Sequence, residues 1–197
     1  VGMEALVRWR NKEGNLISPA DFIPLAEETG LIIPIGKFVL QQACHDAQML
    51  VAQGMHFVVS VNISAVQFRE ESFLQMVQDT LLASKLAPEF LELEITEGVL
   101  ARDVANTQHV LSSLRSMGVR IALDDFGTGY SSLTYLKRFP VDVLKIDQSF
   151  VRDMLVDKSD AAIIEAIVKL AQALGLELVA EGVESQEQAA ALQAIGC

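Results

Sequence analysis

Eight polar side chains fall where short apolar runs end, and their types belong together chemically. In chain order they are Glu4, Asn62, Glu94, Asp124 with Asp125, Lys145 with Asp147, and Glu181. Six carboxylates and an amide gathered at one mouth would repel one another unless cations sat among them, because buried charges persist only when paired or bound to metal. Every donor is oxygen, which selects a hard ion, Mg2+ or Mn2+, over a thiolate-bound zinc. The histidines supply no zinc pair: His45 and His109 fall inside helical patterns and His56 precedes a strand. Each position taken alone has a plainer account. Asp124 and Asp125 could cap the turn at Phe126–Gly127, Glu92 and Glu94 could line the wet face of an edge strand, and Lys145 with Asp147 could be a structural ion pair. Six strands ending alike is harder to reach by accident.

The elements that must carry these residues alternate. Strands are expected at Met3–Trp9, Phe57–Asn62, Phe90–Ile95, Arg120–Asp124, Asp142–Asp147 and Glu177–Glu181. Helices are expected at Pro19–Thr29, Phe38–Ala52, Glu71–Ser84, Val104–Met117, Ala161–Leu174 and Gln186–Ile195. Ser18 and Pro19 open the first of these and Gly30 closes it, while Gly54, Gly118 and Gly175 follow others as C-caps. Strand–helix alternation means parallel strands with crossover helices, in either an open doubly wound sheet or a closed (β/α) barrel. No glycine-rich loop opens the first helix, as a dinucleotide-binding sheet requires, and barrels assemble their sites from strand ends. The expected fold class is therefore α/β, a TIM-like (β/α)8 barrel, with residues 1–197 forming one domain.

Composition narrows the partners. Twenty-six acids against 15 bases give a formal net charge of −11, which argues against a DNA or RNA partner. Cys44 and Cys197 make no disulfide framework and fit a reducing compartment, so the expected location is the cytoplasm. No apolar run reaches the ~18 residues that span a bilayer, and no membrane contact is expected of this segment. The longest candidate, Leu31 to Leu40, is interrupted by Pro34, Gly36 and Lys37. Gly127-Thr128-Gly129 lacks the Gly-Lys-Ser/Thr of a phosphate loop and reads as a glycine-hinged loop over Phe126–Leu133. Glu184 either supports Glu181 or caps the helix beginning near Ser185. Cys44 reads as buried core.

Six segments, in order, carry a resemblance. Glu4-Ala5-Leu6-Val7-Arg8-Trp9 is similar to the signature of EAL domains, the bacterial cyclic di-GMP phosphodiesterases. Val61-Asn62-Ile63-Ser64, Glu92-Leu93-Glu94-Ile95-Thr96-Glu97, the run Asp124 to Leu133, Leu144-Lys145-Ile146-Asp147 and Ala180-Glu181-Gly182-Val183-Glu184 follow at matching spacing. The resemblance spans the whole chain. It implies an EAL-type barrel in which Glu4, Asn62, Glu94 and Asp124 hold one divalent ion. Asp124, Asp125 and Glu181 then hold a second, with Asp124 bridging. Lys145 would contact the attacking water, Arg8 a phosphate, and Leu6 and Asp147 the substrate. Glu97 would steady the loop after Asp125, a loop that also serves homodimer contacts.

The family's barrel begins about one strand earlier, with a Gln-Pro-Ile-type segment, and ends later, on a strand carrying a Gln-Gly pair. The expectation is an incomplete barrel lacking its first strand and last strand–helix unit, within a longer polypeptide that carries sensor or cyclase-like domains and a membrane anchor in some cases. The implied activity is metal-dependent hydrolysis of cyclic di-GMP to linear pGpG. A receptor that binds cyclic di-GMP without turnover is the alternative, disfavoured because every matched ligand position holds the catalytic residue type. A Schiff-base lyase built on Lys145 ranks last, since it needs an apolar pocket and acids surround this lysine.

Overall fold

The computed structural model describes residues 2–100, 103–128 and 136–197. They fall into two compact units, residues 1–94 with 113–120 and residues 95–112 with 121–197. Of the glycine-hinged loop expected at 126–133, residues 129–133 lie outside the described residues.

In the first unit, β1 (Gly2–Ala5) pairs in parallel with β4 (Val58–Ile63), Glu4 opposite Ser60, and β5 (Leu91–Thr96) is the next strand over. The expected strand over Met3–Trp9 is divided. The chain leaves the sheet after Ala5, and Trp9 and Arg10 form β2, which turns back antiparallel onto β3 (Leu16–Ile17). Its turn rests on Asn11, whose Oδ1 accepts the amides of Glu13 and Asn15 at 3.0 and 2.9 Å, an Asx turn completed by Gly14 at φ +86°.

Helix α1 (Pro19–Thr29) has the expected bounds, with Gly30 left-handed behind it, although the Ser18 hydroxyl makes no capping bond. Helix α2 (Ile32–Val51) begins six residues before the expected Phe38. Pro34 does not break it, because it sits in the first turn, where a missing N–H has no helical acceptor to lose. Gly36 does not break it either. There the helix crosses α3 (Ala65–Phe68), and a Cβ at Gly36 would stand 2.2 Å from the side-chain oxygen of buried Gln67. The stripe Ile32, Gly36, Leu40, Ala43, Cys44 and Ala47 is buried along one face of α2, which packs on α4 (Phe73–Ser84) and β4.

In the second unit, β6 (Arg120–Phe126), β7 (Val143–Ile146) and β8 (Glu177–Ala180) are successive parallel neighbours. The helices described here are α5 (Glu97–Leu100), α6 (Val104–Ser116), α7 (Gln148–Asp153), α8 (Lys158–Leu174) and α9 (Gln186–Ile195). All of β7 is buried, as a strand covered on both faces must be. Helix α8 buries Ile164, Ile167, Val168 and Ala171, a helical stripe ending at Gly175 in the left-handed region. Short α3, α5 and α7 escape periodicity because one or two turns are too few to show a stripe.

Gly36→Ala should destabilise the fold by about 1–2 kcal/mol, since overpacking outweighs alanine's better helix propensity. Urea denaturation should show this loss, and a Gln67→Ala background should abolish it.

Candidate active site

Parallel strands β6, β7 and β8 end side by side, and their C-terminal ends bring acids around one lysine. Lys145 Nζ lies 3.2 Å from Asp124 Oδ1 and 2.6 Å from Glu181 Oε1, and the residue is 5% exposed. One carboxylate oxygen each from Asp124, Asp125 and Glu181 falls within 4.8 Å of the others. Lys145 therefore pairs with Asp124 and Glu181 rather than with Asp147, its neighbour two residues on.

Two consecutive acids reach one place because β6 does not stay regular. Leu123 pairs with Leu144 but Phe126 pairs with Ile146, so three steps on β6 match two on β7. Asp125 takes φ +54°, and Gly127 follows at φ +99°. This bulge turns Asp124 and Asp125, which would point to opposite faces of an even strand, toward the same carboxylate cluster. The loop leaving it is tied down: Gly127 N–H donates to Glu97 Oε1 at 3.0 Å, and the Thr128 hydroxyl donates to the Asp125 carbonyl at 2.8 Å. Ser131 and Ser132, further along, lie outside the described residues.

Asp147 is the N-cap of α7, accepting the Ser149 amide at 2.9 Å and the Ser149 hydroxyl. It also shares a hydrogen bond with Asp125. Burial pushes Asp147 up, but the Ser149 bonds, the Asp125 bond and Arg152 outweigh it and hold this carboxyl below the usual range. Asp125 moves the other way, pushed up to about 6 by burial and then by the charges of Asp124, Asp147 and Glu181 and the hydrogen bond with Asp147.

In the first unit, Asn62 Nδ2 donates to Glu4 Oε1 at 2.6 Å at the ends of β4 and β1. Glu94, on β5 in the same unit, is 3% exposed. Glu92 is buried too, accepting from Ser60 Oγ at 2.9 Å and Arg120 Nε at 3.2 Å, so β5 is no wet edge strand. Leu6 and Arg8 are exposed on the segment after β1, and Arg8 donates to the Val7 carbonyl. Glu184 does not cap α9; Ser185 does, in a reciprocal capping box with Gln188. That box was readable as Ser-x-x-Gln before an apolar run, whereas the reach of Gln188 to α7 had no signal in the sequence.

Donor chemistry tests whether the cluster suits the divalent ions implied by the resemblance. All ligating atoms are oxygens, and the ammonium now between Asp124 and Glu181 shows that the pair accepts a cation. The residues fit a hard ion.

Comparison with known proteins places the chain in a family. Residues 1–197 match the EAL domain. The chain belongs to the EAL family. Its relatives include the bifunctional diguanylate cyclase/cyclic di-GMP phosphodiesterase MucR of Pseudomonas aeruginosa, 46% identical over 198 residues that cover 100% of this chain and 29% of MucR. Cyclic di-GMP phosphodiesterase PdeR of Escherichia coli is 40% identical, covering 96% of this chain and 29% of PdeR. Among solved structures, a PaMucR phosphodiesterase in complex with c-di-GMP matches at a TM-score of 0.92 and 47% identity, over 98% of this chain and 79% of that one. The fold class of this EAL chain is accordingly the TIM-like barrel expected from its sequence, of which it holds a part. It spans less than a third of the length of MucR and PdeR.

Because Asp125 holds its proton to about pH 6 without metal, an incoming ion must displace that proton below this pH. Mn2+ affinity should fall as pH drops through 6 and level off above it, with protons released on binding in the lower range. The sign for stability is opposite. A raised carboxyl favours the metal-free fold at low pH, and this contribution fades as pH climbs through about 6. Calorimetry in buffers of different ionisation heat checks the first statement, and Asp125→Asn should flatten the dependence.

Proposed function

We propose that the chain hydrolyses cyclic di-GMP to linear pGpG, using two divalent ions, Mg2+ or Mn2+. The observation that carries this reading is the carboxylate cluster of Asp124, Asp125 and Glu181 around the Lys145 ammonium at the ends of three adjacent parallel strands. Relatives named as cyclic di-GMP phosphodiesterases support it. Asp124, Asp125 and Glu181 would hold one ion, and Glu4, Asn62 and Glu94 with Asp124 the other. When bound, the pair supplies charge for the phosphate oxygens and acidifies an attacking water.

The remaining work falls to the chain's own groups. Lys145, held by Asp124 and Glu181, orients the water by donating to it and adds positive charge beside the phosphate. Arg8 lends a two-pronged guanidinium to a phosphate oxygen pair. Leu6 and Asp147 complete the substrate contacts, Asp147 fixed in place by Ser149. Glu97 keeps the Asp125 loop from swinging by holding the Gly127 amide. These local cations let a chain of net charge −11 bind a dianionic dinucleotide. A homodimer through the loop after Asp125 and fusion to cyclase-like domains belong to the same proposal; the double name and greater length of MucR support the fusion.

Incubation of the chain with cyclic di-GMP and Mg2+ or Mn2+ should yield pGpG by chromatography. Asp124→Asn should abolish that product with the fold retained, and near-wild-type turnover would remove the assignment of Asp124 as a shared ligand. Binding of cyclic di-GMP by the wild type with no product would favour a receptor.

Arg8 and Lys145 should separate binding from chemistry. Arg8→Ala should weaken cyclic di-GMP binding by about 1.5–3 kcal/mol, the worth of a charge-assisted hydrogen-bond pair. Lys145→Ala should lower kcat with binding largely kept. The opposite pattern would reverse the two roles.

A further inference from the structure

The segment carrying Glu181 into α9 leaves the sheet after the bond from the Glu181 amide to the Ile146 carbonyl of β7. Beyond it, one amide side chain ties the segment to α7 and one glycine lets it run close to that helix. Gln188 is buried at 8% exposure. Its Oε1 accepts the backbone amides of Glu184 and Ser185 at 2.8 and 3.0 Å. Its Nε2 donates to the carbonyls of Val151 and Arg152 at 3.2 and 3.5 Å. Those carbonyls belong to the last turn of α7, where no further helical amide follows to satisfy them. At the other end of α7, Gly182 adopts φ +65° so close to the helix that a Cβ would lie 2.7 Å from Gln148 Cβ. Helix α7 is N-capped by Asp147, two residues after Lys145 of the cluster, and the segment pinned along it starts at Glu181, which is paired with Lys145.

We propose that Gln188 is a positioning residue for the carboxylate cluster: by bridging segment 181–185 to the end of α7, it sets where Glu181 meets Lys145 and the metal. This rests on the function proposed above for the same cluster. The task needs a glutamine. An amide presents an acceptor to one backbone stretch and donors to another, whereas a carboxylate offers only acceptors and would face the carbonyls of α7.

That difference separates positioning from mere helix capping. Gln188→Glu keeps the capping box, since Glu is favoured at that position after a Ser N-cap, but loses the bridge to α7. Ser185→Ala does the reverse, removing the hydroxyl that accepts the Gln188 amide at 3.1 Å while leaving the bridge. Two readouts apply to the purified chain: Mn2+ affinity by calorimetry, and hydrogen exchange in the metal-free protein at the Glu181 amide, which donates to the Ile146 carbonyl at 3.1 Å.

Gln188→Glu should bind Mn2+ about 10–100-fold more weakly, the usual loss when support behind a ligand is removed, and should exchange the Glu181 amide at least about fivefold faster. Ser185→Ala should show a lower Tm with Mn2+ affinity within about twofold of wild type. If Gln188→Glu fails to fold, Gln188→Met, uncharged and of similar volume, carries the same expectation. Wild-type affinity and exchange in the Gln188 variants, or equal losses in Ser185→Ala, would overturn the inference. A wild-type chain that binds no Mn2+ would instead defeat the functional reading, and the exchange measurement would still decide the role of Gln188.

Discussion

An even β-strand cannot aim two consecutive side chains at one point, and the candidate site depends on escaping that rule. The escape is the bulge in β6, where Asp125 sits at φ +54° and the pairing with β7 slips by one residue. The left-handed region costs most residues about 1 kcal/mol or more, but Asp is among the few that visit it readily. Local bonds offset the rest. The Asp125 amide donates to its neighbour's Oδ1 at 3.0 Å, and its carbonyl accepts from Thr128. A bulge beside a cluster of acids is a common way to re-aim a side chain where chemistry happens.

What surrounds the bulge serves to keep it from relaxing. Glu97 holds the first amide beyond Phe126, Asp147 shares a hydrogen bond with Asp125, and Ser149 holds Asp147. Buried β7 presents Lys145 from below, between two acids that would otherwise repel. At its buried centre, Asp124 and Lys145, losing either partner is costly, because it leaves the other charge without compensation.

Much of this was legible in the residues and some was not. Strand ends announced themselves because parallel strands are short apolar runs, so an acid closing each one stands out. Helix α1 was readable to the residue from Pro19 and Gly30, and α9 from its helical pattern, although Glu184 competed with Ser185 for its cap. The β6 bulge was invisible, since Asp-Asp is equally compatible with a strand end or a turn. Pro34 and Gly36 lie inside α2 although both are helix breakers by propensity: one sits where its defect is harmless and the other where only a glycine clears Gln67. The hairpin after Ala5 hid inside an apolar run because its turn rests on a single Asn side chain. Gln188 shows the general limit. Its capping half is local and readable, while its bridge to residues 36 and 37 positions earlier is tertiary.

Charge explains why such an assembly would want a divalent ion and not settle for its own lysine. Asp124, Asp125 and Glu181 bring three negative charges to within 4.8 Å when all are ionised, and Lys145 returns one positive. A deficit of two remains. Below about pH 6 Asp125 reduces it by keeping a proton, which is the physical meaning of its raised pKa. At neutral pH that proton leaves and the deficit matches the charge of one hard dication, which brings the oxygen preference that an ammonium lacks. The lysine stays useful because an ion taking up Asp124 and Glu181 would release the Nζ donors that those carboxylates now occupy. In the proposed reaction those donors pass to water, so the pairing that stabilises the metal-free site also stores the group needed for chemistry.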